Sequence, residues 1–206
     1  EWVDLSLLEQ PVVYAAGMLI ADKYLLEQQL GHGGMGTVWL ARNVTLDSAV
    51  AIKLVHPAVR GFETSARLLT EARVEAGLNH PGIVRVFDFG ETAHGDSFIV
   101  MEPLEGKSLG EMLEEQGRLH PQVAVQLILP VIEALCCAHF HCVIHRDLKP
   151  DNIFITDLDP HGMRPKVLDF GLAKLIDGRA RFDRKITVGG TVMGTAAYMS
   201  PEQARG

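Results

Sequence analysis

Two polar runs hold most of the residues able to do chemistry. His145-Arg146-Asp147-Leu148-Lys149-Pro150-Asp151-Asn152 sets a carboxylate, an ammonium and an amide close together in the chain. It matches the pattern H-R-D-L-x-x-x-N at every specified position. Asp147 is suited to accept or orient the proton of an attacking hydroxyl. Lys149 would balance charge on a group in flight, and Asn152 would offer an amide oxygen to Mg²⁺. Asp169-Phe170-Gly171 follows 17 positions beyond Asn152 and adds a carboxylate, a second hard ligand. Upstream, Gly31-His32-Gly33-Gly34-Met35-Gly36 fits G-x-G-x-x-G. Missing side chains let backbone N–H groups approach phosphate oxygens, although a plain hairpin turn would look the same. A dinucleotide site needs a helix directly after the glycines and an acid about 20 residues on. Here Thr37-Val38-Trp39-Leu40 alternates like a strand, and the residue in that region is Lys53. A P-loop needs Gly-Lys-Ser/Thr after its glycines, which is absent. Lys53 sits in an apolar strand, where a buried ammonium needs anions. Phosphates and a helix carboxylate would serve; the alternative is an edge-strand lysine pointing at water.

The elements that must position these groups follow from pattern. Tyr24–Leu30, Thr37–Arg42, Ala49–Val55, Ile83–Phe89 and Ser97–Glu102 read as strands. A helix is expected over Thr64–Leu78, with Phe62, Ala66, Leu69, Ala72 and Ala76 on one face. Residues 24–102 therefore read as a mostly antiparallel sheet with one helix. After a connector at Pro103–Lys107, Ser108–Gln116 reads as a short helix and Pro121–His141 as a long, nearly all-apolar one. Pro130 lies inside it, where proline costs about 3 kcal/mol and kinks a helix. Short apolar strands within Val143–Ile155 and Lys166–Phe170 bracket polar loops. Residues 1–22 read as a lead-in.

The 206 residues suffice for one large domain or two small ones, and 47% apolar with 22% charged is a globular balance. The net charge of −7, without a basic run of five or more, argues against general nucleic-acid binding. No uninterrupted apolar stretch reaches 18 residues, so no membrane span is expected. The crowded, odd set Cys136, Cys137 and Cys142 suggests reduced thiols in a cytosolic protein.

Taken in order, Gly31–Val38, Lys53, Asn79-His80-Pro81, His145–Asn152, Asp169–Gly171 and Gly194–Glu202 resemble the motifs of a eukaryotic-like serine/threonine protein kinase of the bacterial type. Val38 and Val50-Ala51-Ile52-Lys53 supply the valine and lysine that this glycine loop requires. The resemblance implies an α+β, two-lobed kinase-like fold. Its N-lobe is an antiparallel sheet with one main helix at 23–102. Its mainly helical C-lobe, with hinge, catalytic loop and activation segment at 103–206, is incomplete. ATP lies between the lobes. The implied activity is transfer of the ATP γ-phosphoryl group to Ser/Thr hydroxyls of proteins, the kinase itself included, with self-association for that step. The implied cofactors are ATP and Mg²⁺, with Mn²⁺ as an alternative metal, and the implied setting is bacterial signal transduction in the cytoplasm. The other reading is a truncated or impaired kinase fragment acting as a nucleotide-binding or interaction module.

Residue by residue, the resemblance pairs Glu71 with Lys53, with Glu75 as rival. It puts Met101 beside the adenine pocket and makes Glu102 and Leu104 hinge residues. Val38 and Ala51 would lie above the base and Phe154 below. The catalytic set is Asp147, Lys149, Lys53 and Glu71; the metal set is Asn152 and Asp169. Asp169 to Glu202 spans 34 residues, and Arg146 suggests a segment ordered by phosphorylation at Thr187 or Thr191. Thr195 reads as structural, and Arg179, Arg181, Arg184 and Lys185 as a solvated loop face. An apolar stack is expected through Val86, Phe170 and His145, where Glu75 stands in an apolar position. Further helices beyond Ser200-Pro201-Glu202 are expected, leaving Val123, Leu127, Val131 and Leu135 exposed here.

Overall fold

A computed structural model describes residues 12–33, 36–55, 69, 72–73, 76–156, 162–170 and 197–201. The chain divides into two compact units: Glu1–Ser65 with Asp88–Pro103, and Ala66–Phe87 with Leu104–Gly206.

The first unit is built on a sheet. The strands of this sheet are β1 Leu19–Ile20, β2 Tyr24–Gly33, β3 Gly36–Asn43, β4 Ser48–Val55, β5 Val86–Glu91, of which Asp88–Glu91 fall in this unit, and β6 Ser97–Met101, in the order β1-β2-β3-β4-β6-β5. Strand alternation sorts their side chains by face. Trp39, Ala41, Val50, Ile52, Leu54, Phe98 and Val100 form one core with Tyr24 and Leu26. The Tyr24 and Phe98 rings meet edge-on at 6.1 Å. The Tyr24 hydroxyl donates to Asp88 at 2.7 Å and the Lys23 ammonium pairs with the same carboxylate at 3.0 Å. β2 and β3 pair antiparallel as far as Gly33 and Gly36, so the described glycines close the end of this strand pair. Gly36 has φ +143°, and a Cβ there would overlap the Leu54 carbonyl oxygen, so only glycine fits. β1 lies inside the expected lead-in and pairs with β2 at Ile20 and Tyr24.

The second unit joins a three-stranded sheet, β7 Gly106–Ser108, β8 Ile153–Thr156 and β9 Arg164–Val167, to helices α1 Leu109–Gln116 and α2 Pro121–Phe140. Pro165 is tolerated because β9 is an edge strand of this sheet. Ser108 caps α1 in a reciprocal box with Glu111. The segment before β5 belongs to this unit: the Val84 amide donates to the Val167 carbonyl at 3.0 Å, and the Val167 amide to that of Gly82 at 2.8 Å. Leu69, Ala72, Arg73 and Ala76, from the helix expected over Thr64–Leu78, are helical.

α2 corrects one expectation. It is 20 residues long with mean hydropathy 1.9, long and apolar enough by length and composition to cross a membrane. Its stripe Leu127, Val131, Ala134 and Ala138 is buried in the core with Ile83, Ile153, Ile155 and Val167. Val123 and Leu135 pack against that core. The exposed large apolar side chains are instead Val125, Ile128, Leu129 and Ile132, on the other face, and Phe140 at the helix end. The helix runs through Pro130 without a break.

The end of α2 is unusual. The Val143 amide donates to Ala138 and the Cys142 amide to His139, both at 2.9 Å, which is the Schellman closure. Its left-handed position, φ +60°, is filled by Cys142 and not by glycine. Cys142→Gly is expected to stabilise the protein by about 1 kcal/mol. A urea midpoint at or below that of the parent would contradict this.

Candidate active site

The site residues of the first unit share one sheet face. In register, Val38 and Ile99 flank Lys53, while Leu40 and Met101 flank Ala51. Two-residue periodicity therefore puts Val38, Ala51, Lys53 and Met101 on the face opposite the Trp39–Ile52 core. Lys53 is only 6% exposed, which a strand-edge lysine facing water would not be. Gly31, His32 and Gly33 are exposed at the hairpin. A Cβ on Gly31 or Gly33 would meet nothing within 4 Å. Among the described residues nothing excludes side chains there, as expected where an outside group needs close approach to the backbone. Glu102 is half-buried past the end of β6. Gly34, Met35, Glu71 and Glu75 lie outside the described residues.

The second unit gathers the catalytic-loop residues. Pro150–Asn152 forms a single 3-10 turn leading into β8. It swings Asn152 back, so that its amide Nδ2 donates to the Asp147 backbone carbonyl at 2.7 Å and to Asp147 Oδ2 at 3.2 Å. The Lys149 ammonium stands 3.7 Å from the same Oδ2, and the Asp147 side chain is only 10% exposed. The Leu168 amide donates to the Asn152 carbonyl at 2.9 Å, which puts Asp169 next in chain to a residue tied to Asn152. Asp169 has φ +57° and Arg146 φ +66°, left-handed backbone that carries strain in non-glycine residues. Phe154, half-buried on β8, lies opposite Ser108 and Lys166, and Leu104 is half-buried before β7. Gly171, Thr187, Thr191, Thr195 and the basic run 179–185 lie outside the described residues.

His145 joins these segments, a role its place in the motif does not reveal. Its Nε2–H donates to the Leu168 carbonyl at 2.8 Å, and its Nδ1 accepts the Asp147 amide at 3.3 Å. Its ring lies 4.8 Å from that of Phe170, and both residues are buried, so this part of the expected stack is present. The ring must be neutral, because a second ring N–H would confront the Asp147 N–H. Burial holds its pKa below the usual 6.5, despite the opposing Leu168 carbonyl and the nearby Asp169 and Asp147 carboxylates. The unfolded chain therefore takes up a proton at this residue before the folded one does, and stability falls as pH drops below about 6.5. Between about pH 7.5 and 5.5, the parent should lose more stability than His145→Gln in urea unfolding. Equal losses would contradict the assignment.

Among the described residues, no three His, Cys, Asp or Glu side chains group as a metal site. Asn152 and Asp169 supply hard oxygen donors, a set suited to a cation that completes its shell with phosphates and water. The residues fit that group.

Residues 24–206 match the protein kinase domain model, and the chain belongs to that family. It is 42% identical over 194 residues to serine/threonine-protein kinase pkn3 of Myxococcus xanthus, covering 92% of this chain and 35% of that protein. It is 40% identical over 191 residues to serine/threonine-protein kinase PknB of Mycolicibacterium smegmatis, covering 91% of this chain and 29% of that one. The chain thus spans about a third of the length of these relatives. The crystal structure of the Mycobacterium tuberculosis PknI kinase domain superimposes with TM-score 0.68 at 29% identity, covering 78% of this chain and 64% of that one. The protein-kinase fold is thereby established, with an antiparallel sheet and a partly present helical part.

Proposed function

We propose that the protein transfers the γ-phosphoryl group of ATP to Ser/Thr hydroxyls of proteins, itself among them. The reading is carried by one observation, the double grip of the Asn152 amide on Asp147 beside the Lys149 ammonium. It gives a carboxylate one fixed orientation next to a cation, as proton transfer to a positioned base requires. The attacking hydroxyl oxygen bonds to the γ-phosphorus, the bond to the β–γ bridging oxygen breaks, and ADP leaves. Asp147 orients the hydroxyl and takes its proton. Lys149 offsets negative charge on the phosphoryl group in transfer. Gly31, Gly33 and Gly36 give backbone N–H groups access to the phosphates, and Lys53 pairs with them. Val38, Ala51, Met101, Glu102, Leu104 and Phe154 bind the adenine, and Glu71 partners Lys53. Mg²⁺, held by Asn152 and Asp169, would neutralise charge on the β- and γ-phosphates. In this reading 23–102 is the N-lobe and 103–206 a partial C-lobe with hinge, catalytic loop and activation segment, in the cytoplasm, with Thr187 or Thr191 as the self-modified residue.

The test is incubation of the intact protein with ATP labelled on its γ-phosphate, Mg²⁺ and a generic protein acceptor. Label on Ser or Thr is expected. Nucleotide binding without label on any protein would overturn the reading.

A further inference from the structure

Asp151 is the one acidic residue of the catalytic run to which the proposed reaction gives no task. Its Oδ2 stands 3.9 Å from the Lys149 ammonium, and Asp147 Oδ2 stands 3.7 Å from the same nitrogen. One cation is thus shared by two carboxylates. The other oxygen of Asp151 lies against α1. A Cβ added to Gly110 would overlap Asp151 Oδ1 and come within 3.3 Å of its Cγ and 3.4 Å of its backbone nitrogen. Gly110 lies in the first turn of α1, fixed by the Ser108–Glu111 capping box, where the positive end of the helix favours a carboxylate. The absent side chain makes a seat, and Asp151 occupies it. The carboxylate therefore has a fixed base although its side chain is 68% exposed.

We infer that Asp151 is a positioning residue: seated on Gly110 at the start of α1, it holds the Lys149 ammonium beside Asp147. A long lysine side chain samples many rotamers, and a second carboxylate fixed by a helix narrows them. α1 thereby sets where the Lys149 charge waits. This inference rests on the phosphotransfer reading for its effect on rate, but not for its effect on Lys149 itself.

The test uses Asp151→Asn in the intact protein, which keeps the shape on Gly110 and removes the ionic hold. With labelled ATP, kcat is expected to fall about two- to fivefold, as for a partly exposed ion pair, with KM for ATP unchanged. In a Lys149→Ala background the same substitution should cause no further loss. An unchanged kcat, or equal losses in both backgrounds, would overturn the inference. A second measurement needs no turnover. In protein labelled at lysine ¹³Cε, the Lys149 resonance, assigned with Lys149→Arg, should move in Asp151→Asn and in Gly110→Ala. It should stay in place in Glu114→Gln. A resonance indifferent to Asp151 and Gly110 refutes the positioning role. A resonance that moves in a protein that never transfers phosphate refutes the kinase reading alone.

Discussion

Asp147→Asn will lower phosphotransfer by about 10²- to 10⁴-fold, the usual contribution of a positioned acid–base group. Binding of ATP with Mg²⁺ should stay within a few-fold of the parent. The substitution conserves volume, and one of the two acceptors for the Asn152 amide is the backbone carbonyl of residue 147, which it leaves intact. The loop should therefore hold its shape while the base is gone. Labelled-phosphate transfer measured beside calorimetric nucleotide binding separates the two effects. A variant with parental turnover would remove Asp147 from the mechanism.

Asp169→Ala comes second, with an expected loss of about 10²- to 10³-fold, the scale for removing one preorganised electrostatic group. The fold should survive, because the Leu168–His145 and Leu168–Asn152 ties run through the Leu168 backbone and do not involve the Asp169 side chain. Aspartate tolerates left-handed backbone better than alanine, so a small drop in the urea midpoint should accompany the lost rate. If rate falls only in proportion to unfolding, the metal assignment fails.

Much of this was readable in the chain, and the reasons differ between elements. β4 announces itself as an unbroken apolar strand around one charge, and its pairing with β3 through a short turn carries Val38 to Lys53 by counting. The Asp147–Asn152 grip is local, five residues apart, and closes on a turn that Pro150 helps to form. β1 and β7 were invisible because two or three residues carry no period. The exposed face of α2 is misread from the sequence for a related reason. With apolar side chains around nearly the whole helix, period 3.6 has no contrast, and only packing on β8 and β9 selects Leu127 and Val131. The link from His145 to Leu168 spans 23 positions, a closure that depends on how β8 and β9 pair. Gly110 as a seat for Asp151 was illegible too, since neither residue departs from an ordinary helix start or turn.

The two ends of the Asn152 amide divide the labour of the loop. Its nitrogen end is committed to Asp147, and its oxygen end is the one proposed for the cation. Alanine at this position therefore removes two components together, and a dead alanine allele says nothing about which was limiting. Aspartate at 152 is the informative swap: it keeps an oxygen for the ion, deletes the N–H donors and places like charge against Asp147. Excess divalent ion should rescue that allele, whereas alanine should stay silent at every dose.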